Sequence, residues 1–312
     1  MDQARRAAER EKTSVMQPHC IVPTGDRCGE GVVWHQGEQA LYWTDINRFL
    51  VHRLDVASNS VRSWFFEEPV TTIGLTNRDG TLIVALGSKV ILWRPASDAR
   101  ADFARPEPNS PAARLNDGRP DPYGDLIVGS MFNNVAPDGS GVDISGPPRG
   151  SLYRLRGDGS VETIRTAIGI SNTMAWDRAR GRFYTADTLA NMIWAYDYDA
   201  ATGALGAVGT HFAGFGRGLP DGSQIDAEGY LWNTRYGGGC ILRIAPDGGL
   251  AGVMDLPVDN VTNCTFGGND RKTLYITTAQ GGNGALERLA GGLFACRTEV
   301  PGIAETIFHL DR

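Results

Sequence analysis

Short apolar runs recur along the chain, each introduced by a turn rich in Gly, Asp or Arg and each alternating apolar with polar positions. The turn-plus-run segments are GEQALYWTD (Gly37–Asp45), RDGTLIVAL (Arg78–Leu86), PYGDLIVGS (Pro122–Ser130), ARGRFYTAD (Ala179–Asp187), AEGYLWNTR (Ala227–Arg235) and DRKTLYITT (Asp270–Thr278). Period-two alternation bounded by turns is the pattern of a half-buried strand. A second alternating segment follows each run, among them HRLDV (His52–Val56), VILWRP (Val90–Pro95), SLYRL (Ser151–Leu155) and LFACR (Leu293–Arg297). Helical periodicity is confined to the charged N-terminal stretch.

Aligned on Leu41, Leu82, Leu126, Phe183, Leu231 and Leu274, the runs are 41, 44, 57, 48 and 43 residues apart, the repeat length of a four-stranded propeller blade. The long interval contains Asn133–Arg149, a segment rich in Gly, Pro and Asp. Six copies predict an all-β, six-bladed β-propeller with four antiparallel strands per blade, closed radially so that no long sheet edge is exposed. The apolar segment Cys20–Val22 is expected to add a strand to the last blade and close the ring. The predicted organisation is a tail over 1–15, helical or disordered, followed by one propeller domain over 16–312.

In such a fold the innermost strands line the central channel, and residues at a fixed offset before each aligned run gather at one mouth. Those residues are Glu30, Thr71 or Thr72, Asn116, Asn172, Asp221 and Asn263, each 10 or 11 positions ahead of its aligned residue. Two carboxylates and several amides facing one axis are hard oxygen donors suited to a divalent cation. The same residues would equally well bond channel water and cap turns, and spacing does not choose between these roles.

Composition narrows the function classes. Gly makes up 40 of 312 residues, which fits a chain built from tight turns, and a net charge of -6 argues against nucleic-acid or anionic-membrane partners. No secretory h-region and no apolar run of about 18 residues is present, so a cytoplasmic location is expected. The five cysteines and five histidines show neither disulfide-framework nor metal-ligand spacing. No serine sits in a nucleophile-elbow motif with an identifiable base. The tryptophans recur at strand positions, where packing between blades accounts for them.

Four segments, GEGVVWH (Gly29–His35), RLNDGRPDP (Arg114–Pro122), SNTMAWD (Ser171–Asp177) and LPDGSQIDAEGYLW (Leu219–Trp232), resemble in the same order the signature segments of the senescence marker protein 30, regucalcin and gluconolactonase family. The resemblance extends from about Cys28 to Cys296. It implies a six-bladed propeller with one divalent metal at the channel mouth, hydrolysing an aldono-1,4- or 1,5-lactone to the aldonic acid. By the same resemblance Glu30, Asn172 and Asp221 are the metal ligands, Asp221 is also the catalytic base, and Arg114, Asn116 and Asp117 bind substrate. The family stretch in which an acidic residue approaches the sugar reads GSMFNN here, which places Asn134 among the substrate contacts. A second departure is Thr173 in place of the family's Gly after Ser-Asn. Neither removes a metal ligand, and both leave the identity of the sugar open.

Ligand type puts calcium first, with zinc, manganese, magnesium and ferrous iron also compatible. The partner implied is a small-molecule sugar lactone; the sequence does not address oligomeric state. Phe215 and Arg217, in the glycine-rich loop before Leu219, are expected at the substrate. Two other readings stand beside this one. A propeller acting on phosphotriesters or aryl lactones would carry a channel histidine, and a calcium-binding or interaction propeller would have no turnover to lose.

Overall fold

The computed structural model describes residues 17–107, 112–281 and 287–311; the tail predicted over 1–15 lies outside them. Among the described residues the regular structure is all strand, in six sheets arranged as the blades of a propeller. No helix of the described residues is long and apolar enough to cross a membrane. From the axis outward, blades 1 to 5 use four antiparallel strands in chain order. The inner strands are Gly29–His35, Val70–Thr76, Ala113–Pro120, Ser171–Asp177, Leu219–Ile225 and Val261–Gly267. Each aligned run of the sequence forms the second strand of its blade, from Ala40–Asp45 in blade 1 to Thr273–Thr278 in blade 6.

Closure works as expected from the N-terminal segment. His19–Val22 pairs antiparallel with Leu293–Arg297, His19 opposite Ala295 and Cys20 opposite Phe294, and so completes blade 6 with the other end of the chain.

Burial follows the alternation. All six residues of Ala40–Asp45 are buried, whereas the outer strand Ser60–Phe65 buries Trp64 alone. The apolar faces meet between blades: Tyr42, Val51 and Trp64 of blade 1 pack with Ile73, Leu82 and Trp93 of blade 2. On the other side of blade 1, Trp34 and Leu41 pack with Tyr275 and Leu293 of blade 6. Each fully buried side chain of this kind contributes about 1.5–3 kcal/mol, so the ring is held by its seams.

Every inner strand carries a register shift against its second strand near its mouth end: Glu30/Val33, Val70/Thr72, Leu115/Gly118, Asn172/Ala175, Pro220/Ser223 and Val261/Asn263. A bulge inserts an unpaired residue and sharpens the local twist, which re-aims side chains. Glu30, Thr72, Asn172 and Asn263 stay paired at the edge of their bulges, whereas Asn116 and Asp221 fall within theirs. Gly31 takes φ 55° in its bulge, and Thr173 takes φ 59° in the matching one.

At the opposite end the C-terminal segment crosses beneath the inner strands. Gly302 bridges Asp226, Gln224 Nε2 donates to Glu305 Oε1 at 3.4 Å, and Thr265 and Thr306 donate to Glu305 and the Pro120 carbonyl. Ile307–Phe308 then pairs parallel with Val70–Thr76 as a fifth strand of blade 2.

Candidate active site

Glu30 of blade 1 and Asp221 of blade 5 meet at the mouth, with their side chains in hydrogen-bond contact and only 7% and 6% exposed. Two buried carboxylates in contact disfavour each other's charge. Glu30 is raised to about 7, by burial first and then by Asp117, and Asp221 rises well above the carboxylate range through burial, then Glu30, then Asp117. Glu30 Oε2 accepts from Gly31 N and from Asn263 Nδ2, both at 2.8 Å.

Asn172 of blade 4 joins this group through its neighbours. Its Oδ1 accepts from Asn116 Nδ2 at 3.1 Å, and its Nδ2 donates to Thr188 Oγ1 at 2.8 Å. Thr188 Oγ1 in turn donates to the carbonyl of Pro220, at 2.8 Å, the residue before Asp221. The Asp221 carbonyl accepts from Thr173 Oγ1. Blades 3, 4 and 5 are thereby stitched together at the level of the ring.

The donor set fits a divalent cation. Two carboxylates whose repulsion a cation would relieve, with the Asn172 amide linked to them through Thr188 and Pro220, are hard donors in a buried place. Among the described residues no three His, Cys, Asp or Glu side chains form a metal cage, so the fit rests on two carboxylates and an amide.

Arg114 lies on the inner strand of blade 3, 6% exposed. Its Nε donates to Asn134 Oδ1 at 3.0 Å, and its Nη1 to Asn116 Oδ1 at 2.7 Å and the Leu115 carbonyl at 2.9 Å. Burial lowers the guanidinium to about 10, against the opposing pull of Cys28, Glu30 and Asp221. Among the described residues no hydrogen bond engages its Nη2, which leaves that group for a ligand oxygen. Asn134 therefore sits beside Arg114.

Asp117 is placed differently. It follows Asn116 along the strand, and its carboxylate accepts from Gly118 N at 2.9 Å and contacts Asn263 and the Thr173 backbone. It lies one residue below the ring and is raised to about 6, by burial first, with Arg119 opposing. In blade 6 Asn263 pairs with Thr277 as Glu30 pairs with Thr44 in blade 1, so the two stand level, and Thr262 is the unpaired residue of the bulge. In blade 2 it is Thr72 that reaches across, donating to the Asn116 carbonyl at 2.8 Å.

Arg217 turns outward to Asp255, at 2.7 Å, and Phe215 packs against Phe212 and under the Arg235 guanidinium. Neither is held towards the ring. The insert Asn133–Arg149 instead folds back over the rim, its Gly139 carbonyl accepting from Asn47 Nδ2 at 3.0 Å. It walls a mouth cavity of about 550 Å³ with Cys28, Asn47 and Tyr236. Sequence reasoning gave no role to Cys28, a half-buried thiol pushed well up by burial and then by Glu30 and Asp221. Its place, two residues before Glu30, was the available signal. A serine–histidine–aspartate line also exists, with Ser63 Oγ 2.7 Å from His52 Nδ1 and His52 Nε2 3.3 Å from Asp26. Ser63 is on the outermost strand of blade 1, and Asp26 is already engaged by Arg48 and Trp43.

The sequence profile described as "SMP-30/Gluconolactonase/LRE-like region" matches residues 28–280. The chain is 38% identical to a pentonolactonase of Haloferax volcanii over 304 residues, covering 93% of this chain and 97% of that one. It is 32% identical to a 6-deoxy-6-sulfogluconolactonase of Pseudomonas putida, over 93% of this chain and 97% of the other. A crystal structure of a calcium-binding protein, regucalcin, from Agrobacterium tumefaciens superposes with a TM-score of 0.86 at 26% identity, over 93% of this chain and 97% of that one. The chain belongs to the SMP-30/gluconolactonase/LRE-like family.

Proposed function

We propose that the chain hydrolyses a sugar lactone to the aldonic acid with one divalent cation held by Glu30, Asn172 and Asp221. The observation that carries this reading is the buried contact between Glu30 and Asp221 beside an amide-rich ring, in a chain whose curated relatives include two lactonases. When bound, the cation supplies electrophilic pull on the lactone carbonyl, a contribution of several kcal/mol to such reactions. Asp221 takes a proton from the attacking water as its oxygen adds to the carbonyl carbon. The ring C–O bond then breaks, and the departing ring oxygen receives the proton, which leaves a hydroxyl and a carboxylic acid that ionises, releasing the water's second proton to solvent. Glu30 holds negative charge against the site. Arg114 Nη2 and Asn134 orient ring hydroxyls, and Asn116 fixes both Arg114 and Asn172.

A proton-release assay on a panel of aldonolactones tests this, with chelated protein restored by individual metals, calcium first. Asp221→Asn and Glu30→Gln are expected to lower turnover on the order of 10²-fold or more, with the fold retained. Near-normal turnover in both variants would refute the assignment. The rival phosphotriesterase-like reading expects a channel histidine, and among the described residues none lies at the ring.

A further inference from the structure

Counting four residues past the aligned apolar positions gives Asp45, Leu86, Ser130, Asp187, Arg235 and Thr278 in blades 1 to 6. Three of these are charged and buried, at 0%, 6% and 0% exposure for Asp45, Asp187 and Arg235. They belong to blades 1, 4 and 5, the blades that bear Glu30, Asn172 and Asp221. They also stand in register opposite Gly29, Ser171 and Pro220, the residues immediately before those three.

We propose that Asp45, Asp187 and Arg235 are positioning residues that set the three candidate ligands by gripping the backbone leading into each; the inference rests on the lactonase reading above. Asp45 Oδ2 and Oδ1 accept from Arg27 N at 3.0 Å and Cys28 N at 3.1 Å, and Oδ1 also from Arg48 N at 3.3 Å. Asp187 repeats the arrangement, accepting from Gly169 N at 2.9 Å and Ile170 N at 3.3 Å, and from Leu189 N at 3.0 Å beyond the turn. Each carboxylate thus ties the lead-in of the inner strand to the turn after the second strand.

Blade 5 does the same with the opposite sign. Arg235 donates to the carbonyls of Gly218 at 2.7 Å, Arg217 at 3.3 Å and Phe215 at 3.4 Å, and to Asn191 Oδ1 at 2.7 Å. Its acceptors are neutral, and among the described residues it forms no ion pair. Isolated buried charge is costly and survives only where hydrogen bonds satisfy it. The fold does not need that cost, because Leu86, Ser130 and Thr278 fill the same place elsewhere. Ser130 Oγ accepts from Ser151 N at 2.9 Å and donates to the Glu107 carboxylate, and Thr278 Oγ1 donates to Gly292 O at 2.7 Å, so neither is seen to grip the backbone leading into its inner strand. The charge is confined to the blades whose side chains must converge, and in blade 5 a cation stands behind Asp221.

The test uses the full chain and compares Asp45→Asn, Asp187→Asn and Arg235→Met with Ser130→Ala and Thr278→Val. Calcium affinity is read by competition with a chelating dye, kcat and KM on an aldonolactone, and folding by circular dichroism. Asp45→Asn, Asp187→Asn and Arg235→Met are expected to weaken calcium binding tenfold or more and to lower kcat while staying folded, with Arg235→Lys recovering part of both. Ser130→Ala and Thr278→Val should remain within twofold. If Asp45→Asn, Asp187→Asn and Arg235→Met match Ser130→Ala and Thr278→Val, or lose melting temperature with calcium affinity intact, the clamp is refuted. Asp221→Asn run in parallel separates the levels: if it abolishes calcium binding and turnover while the three clamp variants do not, the clamp alone fails. If it changes neither, the site reading fails and the clamp with it.

Discussion

Replacing Thr173 by Gly and by Ser separates the strain at that position from its hydrogen bonding. Thr173 is fully buried with φ 59°, a β-branched residue in the left-handed region. Its hydroxyl donates to the Asp221 carbonyl, lies 3.0 Å from Ser223 Oγ and accepts from Asn233 Nδ2 at 3.3 Å. Glycine would relieve about 1–2 kcal/mol of backbone strain. Against this stand about 1 kcal/mol for the hydrogen bond, about 1 kcal/mol for the buried methyl and about 0.5–1 kcal/mol for glycine's freedom in the unfolded chain. The net is a loss of about 1 kcal/mol, roughly 2 °C in Tm for a chain of this size. Serine keeps the hydroxyl and gives up the methyl, again a loss of about 1 kcal/mol. Stability therefore hardly distinguishes the two variants, and activity should. With the Asp221 carbonyl released, Thr173→Gly is expected to lose about tenfold in kcat/KM, while Thr173→Ser stays near the parent. Thermal melts with lactone kinetics on the same preparations decide it. Equal kinetics in the two variants would show that the hydroxyl does not hold Asp221.

Gly222→Ala would set a Cβ 2.2 Å from Asn263 Cγ, driving that amide off Glu30; crowding of this kind costs about 1–3 kcal/mol, and calcium affinity measured by dye competition should fall with it. In the chelated chain Glu30, raised to about 7, and Asp117, raised to about 6, keep protons that the unfolded chain releases near its ordinary carboxylate range. Their stabilising contribution is complete below the unfolded pKa and disappears as pH rises through the folded values. Melting temperature should therefore rise between about pH 7.5 and 5.5 relative to Glu30→Gln, and saturating calcium should erase the difference; a flat comparison would contradict the burial argument. Phe308→Ala removes a fully buried ring that packs with Phe103 at 5.7 Å between centroids; a loss of about 3–5 kcal/mol is expected by denaturant titration.

The fold was legible because its signal is local and repeated. Leu41, Leu82 and their counterparts sit in two-sided buried strands, and six such strands at blade spacing leave few alternatives. The ring was legible for a related reason, since the bulges fall near a constant distance from those runs. What spacing could not convey was depth within a bulge, where Asp117 drops one residue below Asn116 between the paired Leu115 and Gly118. Thr173 stood out as a departure, but its backbone angle depends on the bulge, not on its neighbours in sequence. Arg235 and Asn191 meet across 44 residues of chain, a contact without a local signature. Arg217 was expected at the substrate because its glycine-rich loop could fold over the mouth, yet Asp255 on the outer strand holds it outside.

The strip of chain from Gly302 to His309 is bonded to the far ends of the inner strands of blades 2, 3, 5 and 6 and braces the ring away from Asp221. The rim of Asn133–Arg149 walls the cavity at the other end, beside Cys28. A lactone that enters past this rim and an acid that leaves past it compete for one doorway. Changes to that rim should consequently alter uptake and discharge together, leaving the ratio between them less affected than either rate.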